Sequence, residues 1–577
     1  MKLPRIPDAQ MQLLEERLRG AGVDRRGFLR IAAGIAAMGS VGVNARPASA
    51  APKLAAGQRL AKDQTFRFGG GGFYQNDPAS HDFNKNLYCG GVPALFAGLT
   101  RFTADLQAVP HVATKITSNA DGSVWTFVIR KDSKWSDGSP CTAKDFEWSW
   151  KRQMDPASAN PYASYFYDIK GAEAFNKKES DASQVAVRAK DDWTLEVTLD
   201  GPRGYFPVLA AYIAAYPAHR PSVEKHGDKW TEAGNMVSNG AFTLEVWEHQ
   251  KQMVLRKNPH FFGAKDVTLE KVVIPIIPSQ SGALPYENNE LDLTRVQTGD
   301  LKRLQSSPKT AEEVFRYPFP GTWYLTPQVT KPPFDNVKVR RAVGHAIDRA
   351  NVVKVAQGFA TPAWSMIPPG FPGALDDPKV KAIQRFDPKA AMAQLKGTPF
   401  EGGKNWPKIT LTMRDEAYGA KPLAEAVQSV LLEHLNMKTD LEVLEQRVFR
   451  ERLWKQDLQF VWIRWFMDYP DPHNEYFDTF YGKRTSGRRQ AWVNDAFDKE
   501  LESGRDTRDM KKRLGHYARA EEIMQMDAGY VPVAWVQVYG AMKPWVKGLE
   551  RNKQGEYVID GNIYVDMLSH LYMIERA

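Results

Sequence analysis

Hydrophobic and polar residues alternate along Trp125-Thr126-Phe127-Val128-Ile129-Arg130 and again along Trp193-Thr194-Leu195-Glu196-Val197-Thr198-Leu199, which predicts two strands with one buried face each. Between them the period changes to that of a helix. Thr142 followed three residues later by Asp145 resembles a capping box, and Phe146, Trp150 and Met154 then recur every fourth position to line one face, up to a stop near Asp155-Pro156. A second helix is predicted after Asp335-Asn336, with Val339, Ala342, Val343, Ala346 and Ile347 as its apolar stripe and Arg340, Arg341 and His345 set away from it. The two arginines read as surface or interdomain ion-pair formers; their pairing with Asp348 is the ligand-site alternative.

From residue 387 the pattern becomes an alternation of strands and helices. Asp387 is placed as an N-cap with Pro388 in the first turn and Gly397 past the end, then come strand 409–413, helix 422–435, strand 438–444, helix 448–455 and strand 458–465. Such a β-α-β-α-β order predicts parallel strands covered by helices. Ligands of open parallel sheets bind beyond the carboxyl ends of the strands, where this sequence reads Trp465-Phe466-Met467-Asp468-Tyr469-Pro470-Asp471-Pro472. A carboxylate walled by Trp465, Phe466 and Tyr469 is poorly hydrated and favours a cationic partner. The alternative on spacing alone is a loop aspartate that caps the chain or pairs with Arg464.

The chain has 577 residues, 43% hydrophobic and 25% charged, an ordinary globular composition at a length that predicts two or three domains. Its first fifty residues read as an export leader: Asp24-Arg25-Arg26-Gly27-Phe28-Leu29-Arg30 is a twin-arginine motif, an apolar run follows, and Ala48-Ser49-Ala50 predicts cleavage after Ala50. No later segment reaches the roughly 18 apolar residues of a membrane span, so a soluble periplasmic protein is expected. The formal charge of +9 falls to +5 once the leader, with eight Lys/Arg against four Asp/Glu, is removed. With no basic run or basic helix face, nucleic acid is not an expected partner. Cys89 and Cys141 are the two cysteines, too few for a disulfide framework or a four-cysteine metal site; a single bond between them is left open.

Motifs of catalysis are missing: no G-x-S-x-G, no H-E-x-x-H, no P-loop and no acidic calcium loop, and the eleven histidines are dispersed. The glycine run 69–72 does not open a helix, so it does not read as a phosphate cradle. Asp468 and Asp471 together could serve a glycosidase, but Pro470 and Pro472 stiffen the loop so that Asp471 is expected to turn outward. No cofactor, metal site or catalytic residue is expected.

Longer stretches carry a resemblance. LFAGLTRFTADLQAVP (95–110), the segment from DGSVWTFVIRKDSKWSDG through PYASYF (121–166), WTEAGNMVSNGAFTLEVW (230–247), PPFDNVKVRRAVGHAIDR (332–349), and VPVAW with MKPWVKG (531–548) make the sequence similar to the bacterial extracellular solute-binding proteins of family 5, in particular the periplasmic oligopeptide-binding components of ABC importers. The resemblance implies an α/β, three-lobed periplasmic binding protein fold, type II-like with an inserted extra domain, the ligand cleft lying between two mixed α/β lobes. It implies a discontinuous first domain (51–96, 221–318 and 537–577), an inserted second (97–220) and a third (319–536), with hinge closure around the ligand.

By the same resemblance Asp468 holds a peptide's terminal ammonium, while Trp465, Phe466 and the segment at Asn84 to Asn86 contribute backbone hydrogen bonds and Tyr162 a further contact. Main-chain pairing gives affinity without reading side chains. The sequence departs from the pattern in three places: an acidic residue of the family matches Asn84, a cysteine that pairs across the third domain matches Phe466, and Arg464 replaces a small residue beside the anchor, where it narrows the cleft or meets an acidic group. The basic residues that receive peptide carboxylates have no clean match between Arg447 and Trp462. The implied partners are an oligopeptide, an inner-membrane ABC permease and the twin-arginine export machinery, with the protein a monomer. Rival readings are the same fold with a dipeptide, opine, nickel chelate, haem or oligosaccharide, a periplasmic hydrolase, and a folding helper that grips unfolded chains.

Overall fold

The computed structural model describes residues 52–69, 77–85, 91–277, 282–414, 420–483, 490–559 and 565–576. The leader with Arg25, Arg26 and Ala50, the glycines 70–72, Asn86 and Cys89 lie outside the described residues.

The strands divide into three large sheets and two small pairs among the described residues. In the seven-stranded sheet Thr65–Gly69 lies between two parallel neighbours, Lys271–Pro275 and Leu293–Val296. Val538–Met542, from near the end of the chain, pairs antiparallel with both Leu293–Val296 and Val314–Tyr317. This first lobe is therefore assembled from both ends of the sequence. A second lobe is an antiparallel sheet of Ala113–Ser118, Val124–Ile129, Val187–Asp191 and Thr194–Thr198. Its helix Ala143–Met154 starts where the sequence predicts: the N–H of Thr142 donates to Asp145 Oδ2 at 2.7 Å, and Phe146, Trp150 and Met154 are fully buried.

The third lobe holds the six-stranded sheet, in the order Ala360–Pro362, Val531–Val536, Gly321–Pro327, Phe460–Phe466, Ile409–Arg414, Thr439–Leu444. Its last three strands are parallel, as the β-α-β-α-β reading requires, and the helices Ala420–Leu435 and Gln446–Trp454 connect them. The first strand of the sheet to follow the first lobe, Gly321–Pro327, runs antiparallel to Phe460–Phe466 along its whole length. The architecture is the multi-lobed α/β binding fold. Only residues 318–320 and Gln537 separate strands of the first sheet from strands of the third, so two short connections carry the chain between these lobes, as a hinge demands.

Arg340 forms an ion pair as expected, but its surface setting needs correction, and the alternative site with Asp348 does not form. Arg340 is buried at 6% exposure: its guanidinium donates to Asp527 Oδ1 at 2.7 Å and to the Phe334 carbonyl at 3.0 Å. Burial lowers its pKa, and the Asp527 carboxylate offsets only part of that shift. Arg341 instead reaches the Met526 carbonyl, and Asp348 caps the short helix Arg349–Val352 through Asn351 N–H, so the arginines and Asp348 form no common site. Cys141 is a buried free thiol, its ionisation suppressed by burial. Among the described residues no group of three or more His, Cys, Asp or Glu could hold a metal, and no helix is long and apolar enough to cross a membrane.

Candidate functional site

Strand Phe460–Phe466 is central in its sheet and delivers Arg464, Trp465 and Phe466 to its carboxyl end. There the main chain turns away, with Met467 N–H bonded to the Pro320 carbonyl at 3.0 Å and Asp468 N–H to Asn474 Oδ1 at 2.8 Å. Asp468 is half-buried, and its Oδ2 accepts a 2.5 Å hydrogen bond from the hydroxyl of Tyr165, a residue of the second lobe. The opposing lobe thus touches the carboxylate that the sequence singles out. Tyr165 is itself buried, its hydroxyl held protonated by burial and by the negative charge of Asp468. Tyr162 lies edge-to-face with Tyr165 at 5.3 Å, and Tyr165 meets Tyr469 at 5.8 Å in the same manner. Tyr162, Tyr165, Asp468 and Tyr469 are therefore one aromatic-walled cluster at the junction of two lobes.

Phe466 packs edge-to-face on Phe319 at 4.8 Å and opposite Gly321, where a side chain would strike its ring. The guanidinium of Arg464 sits 3.9 Å above the Phe466 ring and 5.3 Å from Trp323. Trp465 is half-buried in register with Thr322. Asn84 has a different setting, on a loop fixed by Asp82. That buried carboxylate accepts both guanidinium nitrogens of Arg152, at 3.1 and 2.6 Å, with Trp230 Nε1 at 3.0 Å and Asn84 N–H at 3.0 Å. Burial would raise the Asp82 pKa, but these donors and the Arg152 charge hold it below the usual range. The side-chain amide of Asn84 is buried without a hydrogen-bond partner among the described residues.

Asp471 overturns its sequence reading. It points inward at 3% exposure, where Arg513 grips both its oxygens at 2.8 and 2.5 Å and the His473 N–H adds a 2.8 Å bond. The two prolines do shape the loop, but a bidentate arginine carried by a distant helix provides the counter-charge that makes burial tolerable. That helix, Met510–Met526, meets the anchor loop at three successive turns: Arg513 at Asp471, Tyr517 at His473 (3.2 Å), and Glu521 at Tyr476 (2.7 Å). The spacing of four places all three on one face. Sequence reasoning missed this support, and also Tyr165. The available signals were the polar stripe 513-517-521, continued by Gln525, on the buried face of one helix and the second tyrosine of PYASY.

Glu521 is the titratable member of this support. Burial pushes its pKa up to about 7, against the hydrogen bonds from Tyr476, Gln525 and the Met366 N–H that favour the charged form. Between about 4.5 and about 7 the folded protein keeps a proton that the unfolded chain has lost, so this group makes stability fall as pH rises through that window and leaves it level above. The loss amounts to at most about 3 kcal/mol. Denaturant unfolding at pH 5 and pH 8 should therefore show a smaller pH 5 advantage in Glu521→Gln than in the parent; an equal pH dependence in the two would contradict the assignment.

Residues 107–488 match the family profile described as bacterial extracellular solute-binding proteins, family 5. The chain is 33% identical over 469 residues to the oligopeptide-binding protein OppA of Bacillus subtilis, a match covering 79% of this chain and 85% of that protein. It is 32% identical over 546 residues to the periplasmic oligopeptide-binding protein OppA of Salmonella typhimurium, covering 92% and 96%. Among solved structures, the murein tripeptide-binding protein MppA of Escherichia coli aligns with a TM-score of 0.74 at 26% identity, over 90% of this chain and 100% of that one. A complex of Haemophilus influenzae OppA with the peptide RPPGFSPFR aligns with a TM-score of 0.72 at 25% identity, over 90% and 100%.

Proposed function

This chain belongs to the bacterial extracellular solute-binding proteins of family 5, and from that premise we propose that it is the oligopeptide-capturing component of an ABC importer. The observation that carries the reading is the placement of Asp468: a half-buried carboxylate at the carboxyl end of a central strand, ringed by tyrosines and met by the opposing lobe. A carboxylate so placed is matched by the free ammonium of a peptide. The peptide then lies extended past Trp465 and Phe466 and pairs with their main chain, with Tyr162 and Asn84 contributing further contacts. Arg464 offers its charge to an acidic group of the solute. Recognition of main chain and terminus, with few demands on side chains, suits a receptor that serves many sequences.

The same reading makes this an exported periplasmic protein that leaves the cytoplasm by the twin-arginine route under Arg25 and Arg26, is cleaved after Ala50, and works as a monomer that hands its solute to an inner-membrane permease. The lobes divide as 51–96, 221–318 and 537–577; 97–220; and 319–536. No turnover is expected of it. Native mass spectrometry of protein purified without refolding tests the solute class: adducts in the mass range of short peptides, exchangeable by added peptide and unaltered after prolonged incubation, are the expected result. A co-purified molecule lacking an amine, or cleavage of the peptide, would replace the reading.

A further inference from the structure

The second lobe meets its two neighbours through chemically different seams. Against the first lobe the seam is buried: Asp82 takes its bidentate bond from Arg152, the Ser136 N–H donates to the Ser238 carbonyl at 2.7 Å, the Ala97 N–H donates to Asn239 Oδ1 at 2.9 Å, and His111 packs edge-to-face on Phe262 at 5.2 Å. Against the third lobe it combines buried ring contacts, Tyr165 with Tyr469 and Tyr205 with His473, with a rim of charges that solvent reaches. Arg203 of the second lobe, 3% exposed, lies 3.1 Å from Asp168 of its own lobe and donates to Asp506 of the third lobe at 2.7 Å. Asp506 is 45% exposed and also accepts from Arg505 at 2.8 Å. Two residues further on, just past the helix end, exposed Arg508 reaches into the hairpin turn of the second lobe, donating to the Ala120 carbonyl at 2.5 Å and to Ser118 Oγ at 3.2 Å. Gly122 makes room for it: φ there is +81°, and a Cβ would lie 3.0 Å from Arg508 Cδ. Tyr205 stacks on His473 at 4.1 Å beside these charges, in the loop that carries Asp468.

The two seams differ in how solvent reaches their charges: the Arg152–Asp82 pair is buried and little screened, whereas Asp506 and Arg508 stand at an exposed rim where salt weakens their contacts. The hinge connections at 318–320 and Gln537 join only the first and third lobes, so swinging the third lobe away must separate it from the second. We propose that the seam between the second and third lobes is a salt-sensitive closure latch, in which Arg203 with Asp506 and Arg508 with the 118–120 turn determine how long a captured solute stays enclosed. The proposal deepens the peptide-receptor reading and adds determinants of release that lie outside the cleft.

The test uses the full mature chain with Asp506→Ala, Arg508→Ala and the double variant. Two readouts are needed: dissociation of a fluorescent free-amine pentapeptide by stopped flow, and the radius of gyration of ligand-free protein by X-ray scattering, each at low and high salt. Expected for the double variant are dissociation about tenfold faster at low salt, a weaker salt dependence than the parent, and a larger ligand-free radius, with Asp506→Glu close to the parent. Peptide bound and released at the parental rate, with an unchanged radius and salt dependence, overturns the latch. If the parent binds no peptide, the peptide reading falls, and the scattering comparison still decides the latch by itself. Thermal unfolding of the variants within a few degrees of the parent identifies the effect as one on closure.

Discussion

Replacing Asp468 with asparagine is expected to weaken binding of a free-amine peptide by about two to three and a half decades, because removing one member of a desolvated charge pair typically costs about 3 to 5 kcal/mol. The substitution keeps the shape of the side chain and an acceptor for Tyr165, whose bond to Asp468 joins the two lobes, so the fold should tolerate it. Titration calorimetry supplies the number, and an N-acetylated version of the same peptide supplies the control. Acetylation removes the ammonium from the other side of the pair, so the acetylated peptide should bind the parent weakly and the Asp468→Asn protein no worse than it binds the parent. Equal affinities of all four combinations would put the anchor elsewhere. Loss on the protein side without loss on the peptide side would mean that the carboxylate organises the cleft by way of Tyr165 and does not meet the amine.

The second large effect concerns stability. Arg513→Met should destabilise the protein by about 3 to 5 kcal/mol, since it leaves Asp471 charged and buried with neither of its guanidinium bonds. Burial works against the Arg513 charge, yet Asp471 more than restores it. Asp471→Asn with Arg513→Met should recover much of the loss, and the resulting double-mutant cycle measures the coupling directly. Denaturant unfolding provides all four values. A single arginine variant as stable as the parent would show that the pair contributes little. Because Asp471 stands three residues from Asp468 on one loop, the single variant should also lose peptide affinity, and the double variant should regain part of it.

These two positions mark where reading the sequence succeeds and where it stops. Asp468 was legible because its environment is specified locally: the alternation of strands and helices from residue 387 places a strand end at 465, one residue short of the observed 466, and aromatic residues surround the carboxylate within five positions. The cap at Thr142 and Asp145, the buried face of Phe146, Trp150 and Met154, and the cap at Asp387 were legible for the same reason, since a helix start and a stripe are short-range patterns. Asp471 was misplaced because two stiffening prolines say nothing of a distant partner, and Arg340, rightly read as an ion-pair former, was not placed in the interior because its position off the apolar stripe assigns a charge to solvent. Whether a charge can be buried depends on a counter-charge, and those came from Arg513, 42 positions away, and Asp527, 187 positions away.

Tyr165 meets Asp468 across 303 positions of sequence, and Arg203 meets Asp506 across the same span. No local pattern registers such meetings, which follow from the way an inserted lobe and a hinge bring separate segments together. By itself, then, the sequence determined the elements, their buried faces and the carboxylate at the strand end, because these follow from how each residue partitions between water and a neighbouring apolar surface. The tertiary structure alone decided which charges face inward and which lobe closes over the anchor, because electrostatic burial is a property of pairs, and their members are far apart along the chain.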